Sequence, residues 1–107
     1  MPIEQDAFYS LLGIAQRAGA LTFGQDGVLK AISTGAAQFV LLDDGASDNT
    51  KKKISDSCRH YGVELFLTQA DRLGFSVGKP GRMCAAVCAG TLGERLNILA
   101  KQSAPES

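Results

Sequence analysis

The sequence predicts an α/β fold: a three-layer α/β/α sandwich with a roughly four-stranded mixed sheet. Three observations predict it. Stretches with apolar residues at helical spacing alternate, from end to end, with short continuous apolar runs. The continuous runs suit strands covered on both faces, which places helices on either side of the sheet. No linker, repeat or low-complexity stretch divides the 107 residues, a length that fits one domain.

The elements follow in order. A first helix is expected over residues 6–18, where Phe8, Leu11, Leu12, Ala15 and Ala18 share a face and Gly19 supplies a stop. Leu21, Thr22 and Phe23 read as a very short strand. Gly24 opens the turn into a second helix over 25–33, with Val28, Leu29 and Ile32 as its apolar face and Gly35 after its end. Residues 38–42 (Gln-Phe-Val-Leu-Leu) form the second strand. A polar loop, Asp43-Asp44-Gly45-Ala46-Ser47, leads to a third helix that Ser47 or Asp48 can cap. Ile54, Cys58 and Tyr61, spaced i, i+4, i+7, give that helix one apolar face. Residues 63–67 are the third strand. Thr68 is expected to cap a short helix over 69–77, followed by the glycine-rich turn Val77-Gly78-Lys79-Pro80-Gly81. Residues 83–89 form a buried fourth strand. Thr91 and Glu94 have the spacing of a capping box at the start of the last helix, which packs through Leu92, Leu96 and Leu99. Residues 103–107 are expected to be a frayed tail.

Composition narrows the function. Apolar residues make up 45% and charged residues 21%, an ordinary balance for a soluble domain that needs neither disulfides nor metal. The cysteines are three, Cys58, Cys84 and Cys88, and no pair has zinc spacing. They read as reduced, buried thiols of a cytoplasmic protein. His60 has no ligand neighbour and belongs on a helix surface. The acidic N-terminus does not resemble a secretory signal, and no segment approaches the ~20 apolar residues of a membrane span. Enzyme signatures are missing: no G-x-S-x-G elbow, no phosphate-binding Walker loop, and Gly74, Gly78 and Gly81 do not make a dinucleotide fingerprint. Asp43, Asp44 and Asp48 can ligate a cation, but loop solvation and helix capping account for them. The reading is a non-enzyme without catalytic residues, metal or cofactor.

Net charge is zero, so an anionic partner requires positive charge gathered in one place. Three features can gather it. The start of the second helix exposes N–H groups and a positive dipole end, with Lys30 further along. Lys51, Lys52 and Lys53 stand in the first turns of the third helix, where they oppose the helix dipole and so serve something else. The stretch from Arg72 to Arg82 mixes glycines with three cations, a pattern suited to a nucleic-acid backbone.

The stretches Leu12-Gly13-Ile14-Ala15-Gln16-Arg17-Ala18-Gly19, then Gly24 with Lys30-Ala31-Ile32, then Ser47-Asp48-Asn49-Thr50-Lys51-Lys52-Lys53-Ile54, resemble the bacterial YlxQ-type branch of the L7Ae/L30e/S12e/Gadd45 superfamily. Leu73-Gly74-Phe75-Ser76-Val77-Gly78 and Arg82-Met83-Cys84-Ala85-Ala86 look like its second RNA-contacting loop and the following strand. The resemblance implies an L30e-like sandwich that binds structured RNA, often a kink-turn with tandem sheared G·A pairs, or ribosomal RNA. It also implies association with the ribosome or with translation, alongside ribosomal or translation-factor proteins. Nothing in the sequence demands more than a monomer. The implied RNA-binding residues are Arg17, Gly24, Gln25, Asp26, Lys30, Lys51, Lys52, Lys53, Leu73, Gly74, Phe75, Val77, Gly78, Lys79 and Arg82. The superfamily opens its second helix with Gly-x-Asn-Glu-x-x-Lys. Here Gly24 and Lys30 agree, Asp26 replaces the asparagine and Gly27 the glutamate. Asp26 accepts hydrogen bonds but donates none, and Gly27 offers no side chain. Readout is therefore expected to rest on backbone, shape and phosphate contacts. The alternative is a protein–protein adaptor on the same fold, which zero net charge and the altered motif favour.

Overall fold

Residues 2–103 are described by a computed structural model. The element order is α1 (Asp6–Arg17), β1 (Leu21–Phe23), α2 (Gln25–Thr34), β2 (Ala37–Asp43), α3 (Asp48–Tyr61), β3 (Glu64–Thr68), α4 (Arg72–Ser76), β4 (Cys84–Cys88) and α5 (Thr91–Ser103). The strands form one four-stranded mixed sheet in the order β1-β4-β2-β3. β4 is antiparallel to both neighbours, and β3 is parallel to β2. The three-layer α/β/α sandwich expected from the sequence is therefore the fold. Of the expected tail, Ser103 is instead the last residue of α5, and residues 104–107 lie outside the described residues.

Alternating strand residues feed two cores. Phe39, Leu41, Ala85 and Val87 face α1, α4 and α5, meeting Phe8, Leu12, Leu73 and Leu96. Val40, Leu42, Cys84 and Ala86 face α2 and α3, meeting Val28, Ile32, Ile54 and Cys58. An irregularity in the β2–β4 register between Ala37 and Phe39 lets Ala37 join this second core. Each fully buried large side chain contributes about 1.5–3 kcal/mol. The two-sided burial explains why β2 and β4 read as continuous apolar runs rather than alternating ones.

Several local expectations change. Tyr61 is 51% exposed, because the apolar face of α3 ends at Cys58 and Tyr61 stands at the last turn before Gly62. Thr68 does not cap α4. It is the last residue of β3, fully buried, and its hydroxyl donates to Asp43. The short helix begins at Arg72 instead of residue 69, because Asp71 before it adopts a left-handed conformation at φ 65°. Thr91 is already helical. The Glu94 N–H donates to the Gly90 carbonyl, so Gly90 takes the cap position. Ser47 does cap α3, accepting from the Thr50 N–H at 3.2 Å. Cys58 and Cys84 are buried, Cys88 is half-buried, and His60 is exposed.

Strand directions decide what meets at each end of the sheet. β1, β2 and β3 run one way and β4 the other. The carboxyl ends of three strands and the amino end of the fourth therefore share one edge. That edge gathers the start of α2, the β2–α3 loop, the β3–α4 junction and the α4–β4 loop. In open α/β sheets the carboxyl ends of parallel strands are the usual place for ligands.

Candidate nucleic-acid interface

The first contributor is the start of α2. Gly24 caps it without a side-chain hydrogen bond, and the first backbone bond within the helix runs from Val28 N–H to the Gly24 carbonyl. The N–H groups of Gln25, Asp26 and Gly27 are left over from the helix ladder, as at any helix start. The Thr50 hydroxyl donates to the Gln25 side-chain oxygen at 3.4 Å, tying the start of α2 to the first turn of α3. Asp26 and Lys30 are both exposed, one turn apart on the same outward face.

The α4–β4 loop comes from the other side. Lys79 N–H donates to the Gly74 carbonyl at 2.8 Å, folding the loop back over α4. Only glycine fits there: a Cβ on Gly74 would stand 2.7 Å from the Lys79 carbonyl oxygen and 3.1 Å from the N atoms of Gly81 and Arg82. Arg82 is exposed, with its guanidinium 5.6 Å from the centre of the Phe23 ring at the end of β1, within cation–π range. Phe75, on the outer side of α4, is 81% exposed. With Gln69, Ala70, Asp71 and Arg72 it lines an open groove of about 290 Å³.

Beneath these loops lies Asp43, fully buried at the end of β2. One carboxylate oxygen accepts from the Thr68 hydroxyl (3.0 Å) and the Leu73 N–H (3.1 Å). The other accepts from the N–H groups of Asp71 (2.7 Å) and Gly45 (2.9 Å). Four donors converge on the two oxygens, a full set for an acceptor-only carboxylate. Nearby, the Tyr9 hydroxyl donates to the Ile3 carbonyl and accepts from the Gln69 N–H, and its ring carries the Arg72 guanidinium 3.9 Å from its centre. Burial raises the Tyr9 pKa, with the Gln69 bond and Arg72 pulling the other way.

Charge is sorted only in part. Five cations have carboxylate partners: Lys51 with Asp44, Lys52 and Arg59 with Asp56, Arg72 with Asp6, and Lys101 with Glu64. Among the described residues Arg17, Lys30, Lys53, Lys79, Arg82 and Arg95 have none; Lys30, Lys53, Lys79 and Arg82 lie on α2, on α3 and in the loop that ends at the edge, and Arg17 and Arg95 lie on α1 and α5. No cluster able to hold a metal ion occurs among the described residues.

A sequence profile described as the ribosomal protein L7Ae/L30e/S12e/Gadd45 family matches residues 6–99. The chain belongs to this family. An RNA-binding protein YlxQ of Bacillus subtilis is 41% identical over 81 residues, covering 75% of this chain and 81% of the relative. An RNA-binding protein YlxQ of Enterococcus faecium is 34% identical over 79 residues, covering 73% and 77%. Within the L7Ae/L30e family the chain falls in the YlxQ-type branch. A solved Bacillus halodurans protein of unknown function superposes with a TM-score of 0.83 at 32% identity, covering 91% of this chain and 99% of that one. The Giardia lamblia 15.5kD RNA binding protein superposes with a TM-score of 0.77 at 18% identity, covering 96% and 92%, a likeness of fold.

Of the residues that the L7Ae/L30e resemblance implied, the edge brings together Gly24, Gln25, Asp26, Lys51, Lys79 and Arg82, with Lys30 further along α2. Lys52 and Lys53 are exposed on α3. Arg17 is not with them. It ends α1 just before Ala20, whose carbonyl accepts from the Cys88 N–H at the opposite end of the sheet. Leu73 and Val77 point into the core, and Gly74 is buried beneath the loop, so these three shape the edge from behind. Gly27 also has a local reason. A Cβ there would meet Thr22 Cγ2 of β1 at 3.0 Å, so the close seating of α2 on β1 leaves little room for the family's glutamate. Sequence reading missed Asp43 as an organiser. Its only signal was an acidic residue placed directly after a buried apolar run.

Proposed function

We propose that this chain binds structured RNA along the strand-end edge, as a non-enzymatic protein associated with the ribosome or with translation. The observation that carries the proposal is the meeting of the helix-start N–H groups of α2 and the cations Lys79 and Arg82 around one end of the sheet, with Lys30 further along α2. Family membership and relatives named for RNA binding support it. Phosphates would sit on the N–H groups and cations, which position an RNA without reading its sequence. Kink-turns or ribosomal RNA are the proposed targets, with shape and backbone contact replacing the missing Asn-Glu pair at Asp26 and Gly27. No helix among the described residues is long and apolar enough to cross a membrane. The large exposed apolar side chains Ile14, Tyr61, Phe75 and Ile98 sit on four different helices.

Lys30→Ala and Arg82→Ala are each expected to weaken binding to structured RNA and to flatten the slope of log affinity against log salt by about one unit. Arg17→Ala should change neither. Affinity titrations against kink-turn, ribosomal and transfer RNA at several salt concentrations check this. Unchanged slopes for both edge variants would remove the assignment.

A further inference from the structure

We propose that Asp43 is a positioning residue for RNA binding: its buried carboxylate latches the β2–α3 loop to the β3–α4 junction and so sets the spacing of the cations at the edge. This rests on the RNA-binding reading above, and the geometry supplies the rest. Asp43 is at 0% exposure, with no ion-pair partner among the described residues, and every polar contact of its side chain goes to the β2–α3 loop or to the β3–α4 junction at one end of the sheet. Gly45, two residues on, lies in the loop that leads to the Ser47 cap and Lys51. Asp71 and Leu73 lie 28 and 30 residues on, across β3.

The Asp71 contact is informative, because Asp71 holds the left-handed backbone found at no other non-glycine position among the described residues. Such a conformation persists only where its surroundings over-determine it. Here the shortest of the four bonds to Asp43 does so. The left-handed turn then aims α4, and α4 carries the next loop, since the Lys79 N–H is bonded to the Gly74 carbonyl. Asp43 also ties the far end of that loop through its own backbone, donating its N–H to the Met83 carbonyl at 2.8 Å, one residue past Arg82. A single residue thus connects Lys51, Lys79 and Arg82, while the α2 start, with Lys30, is reached only indirectly, through the Gln25–Thr50 bond to the Ser47-capped turn of α3.

The test compares Asp43→Asn with Thr68→Val, which removes only the hydroxyl donor, and with Thr68→Ser, which keeps it. An asparagine keeps one acceptor oxygen, so its amide N–H groups face either the Asp71 and Gly45 N–H groups or the Leu73 N–H beside Thr68, whose hydroxyl can turn to accept, and at least one backbone N–H loses its acceptor. The latch predicts about a tenfold weaker affinity of folded Asp43→Asn for structured RNA, the scale of one charged hydrogen bond. It predicts a smaller loss for Thr68→Val and recovery in Thr68→Ser. A merely structural role would lower the melting temperature and leave the affinity of the folded protein alone.

The coupling pattern separates the roles further. Asp43→Asn should be non-additive with Arg82→Ala, in the loop the latch holds, and more nearly additive with Lys30→Ala, on an element the latch reaches only through Thr50. Native-state amide exchange should quicken at Gly45, Asp71 and Leu73 and stay unchanged at residues 25–27. Folded Asp43→Asn with wild-type affinity would overturn the proposal. If Asp43→Asn does not fold, Thr68→Val against Thr68→Ser decides on the same criteria. If the wild-type protein binds no structured RNA, the functional reading falls and amide exchange judges the latch alone: quickening in both segments upholds it, in neither refutes it.

Discussion

Gly74→Ala is expected to destabilise the protein by roughly 1–3 kcal/mol, the usual penalty for overpacking a filled site. Helix propensity alone argues the opposite, since glycine within a helix is about 1 kcal/mol worse than alanine. Packing decides the sign. The new Cβ would meet the Lys79 carbonyl oxygen at 2.7 Å, and its other two neighbours are also backbone atoms of the same loop. Backbone cannot step aside as a flexible side chain can, so either α4 or the loop must shift. A shift breaks the 2.8 Å bond from Lys79 N–H to Gly74 and moves Lys79 and Arg82 together. Thermal denaturation should show a fall of at least about 4 °C. RNA affinity should drop more than in Lys79→Ala, which leaves the loop in place. Gly74→Val should be worse on both counts. A stabilised Gly74→Ala with intact binding would show that the loop is not seated on α4 as described.

The second large effect is alkaline. Burial pushes the Cys58 thiol from its ordinary 9.0 up to about 11, and pushes Cys84 up as well. A thiol that resists ionisation in the folded state releases its proton first when the chain unfolds. Below pH 9 both states keep the proton and the full stability is present. Between pH 9 and 11 the unfolded chain is increasingly favoured. Two pH units on Cys58 correspond to about 2.7 kcal/mol lost once the pH passes 11. Burial of Tyr9 adds a loss of the same sign at higher pH. Urea midpoints measured from pH 8 to pH 11 should fall through this window. In Cys58→Ala, which starts less stable because of the cavity, the fall should be shallower. An equal fall in that variant would assign the effect elsewhere.

Much of the architecture was legible before any coordinates. Phe8, Leu11, Leu12 and Ala15 mark α1 because a helix buries one stripe, and residues 38–42 mark β2 because both faces of that strand are covered. What escaped depended on distant partners. Asp43 looks like a loop acid from its neighbours. Its burial is made possible by N–H groups of Asp71 and Leu73 that only the parallel β2–β3 pairing brings close. Thr68 departs from its expected capping role for the same reason: its hydroxyl serves Asp43 rather than α4. The site was legible in its pieces and not in its assembly. Arg17 and Gly24 are close in sequence, yet β1 runs between them and sends them to opposite ends of the sheet. Gly27 reads as a departure from the family motif until Thr22 is seen beside it.

Amide chemical-shift mapping during titration with a kink-turn or ribosomal RNA fragment places the RNA on the surface without any mutation. Binding at the strand-end edge predicts perturbations concentrated in residues 24–30, 44–51 and 78–83, with little change at Arg17, Gly90 or Arg95. Perturbations centred on those last three residues, at the opposite end of the sheet, would contradict it.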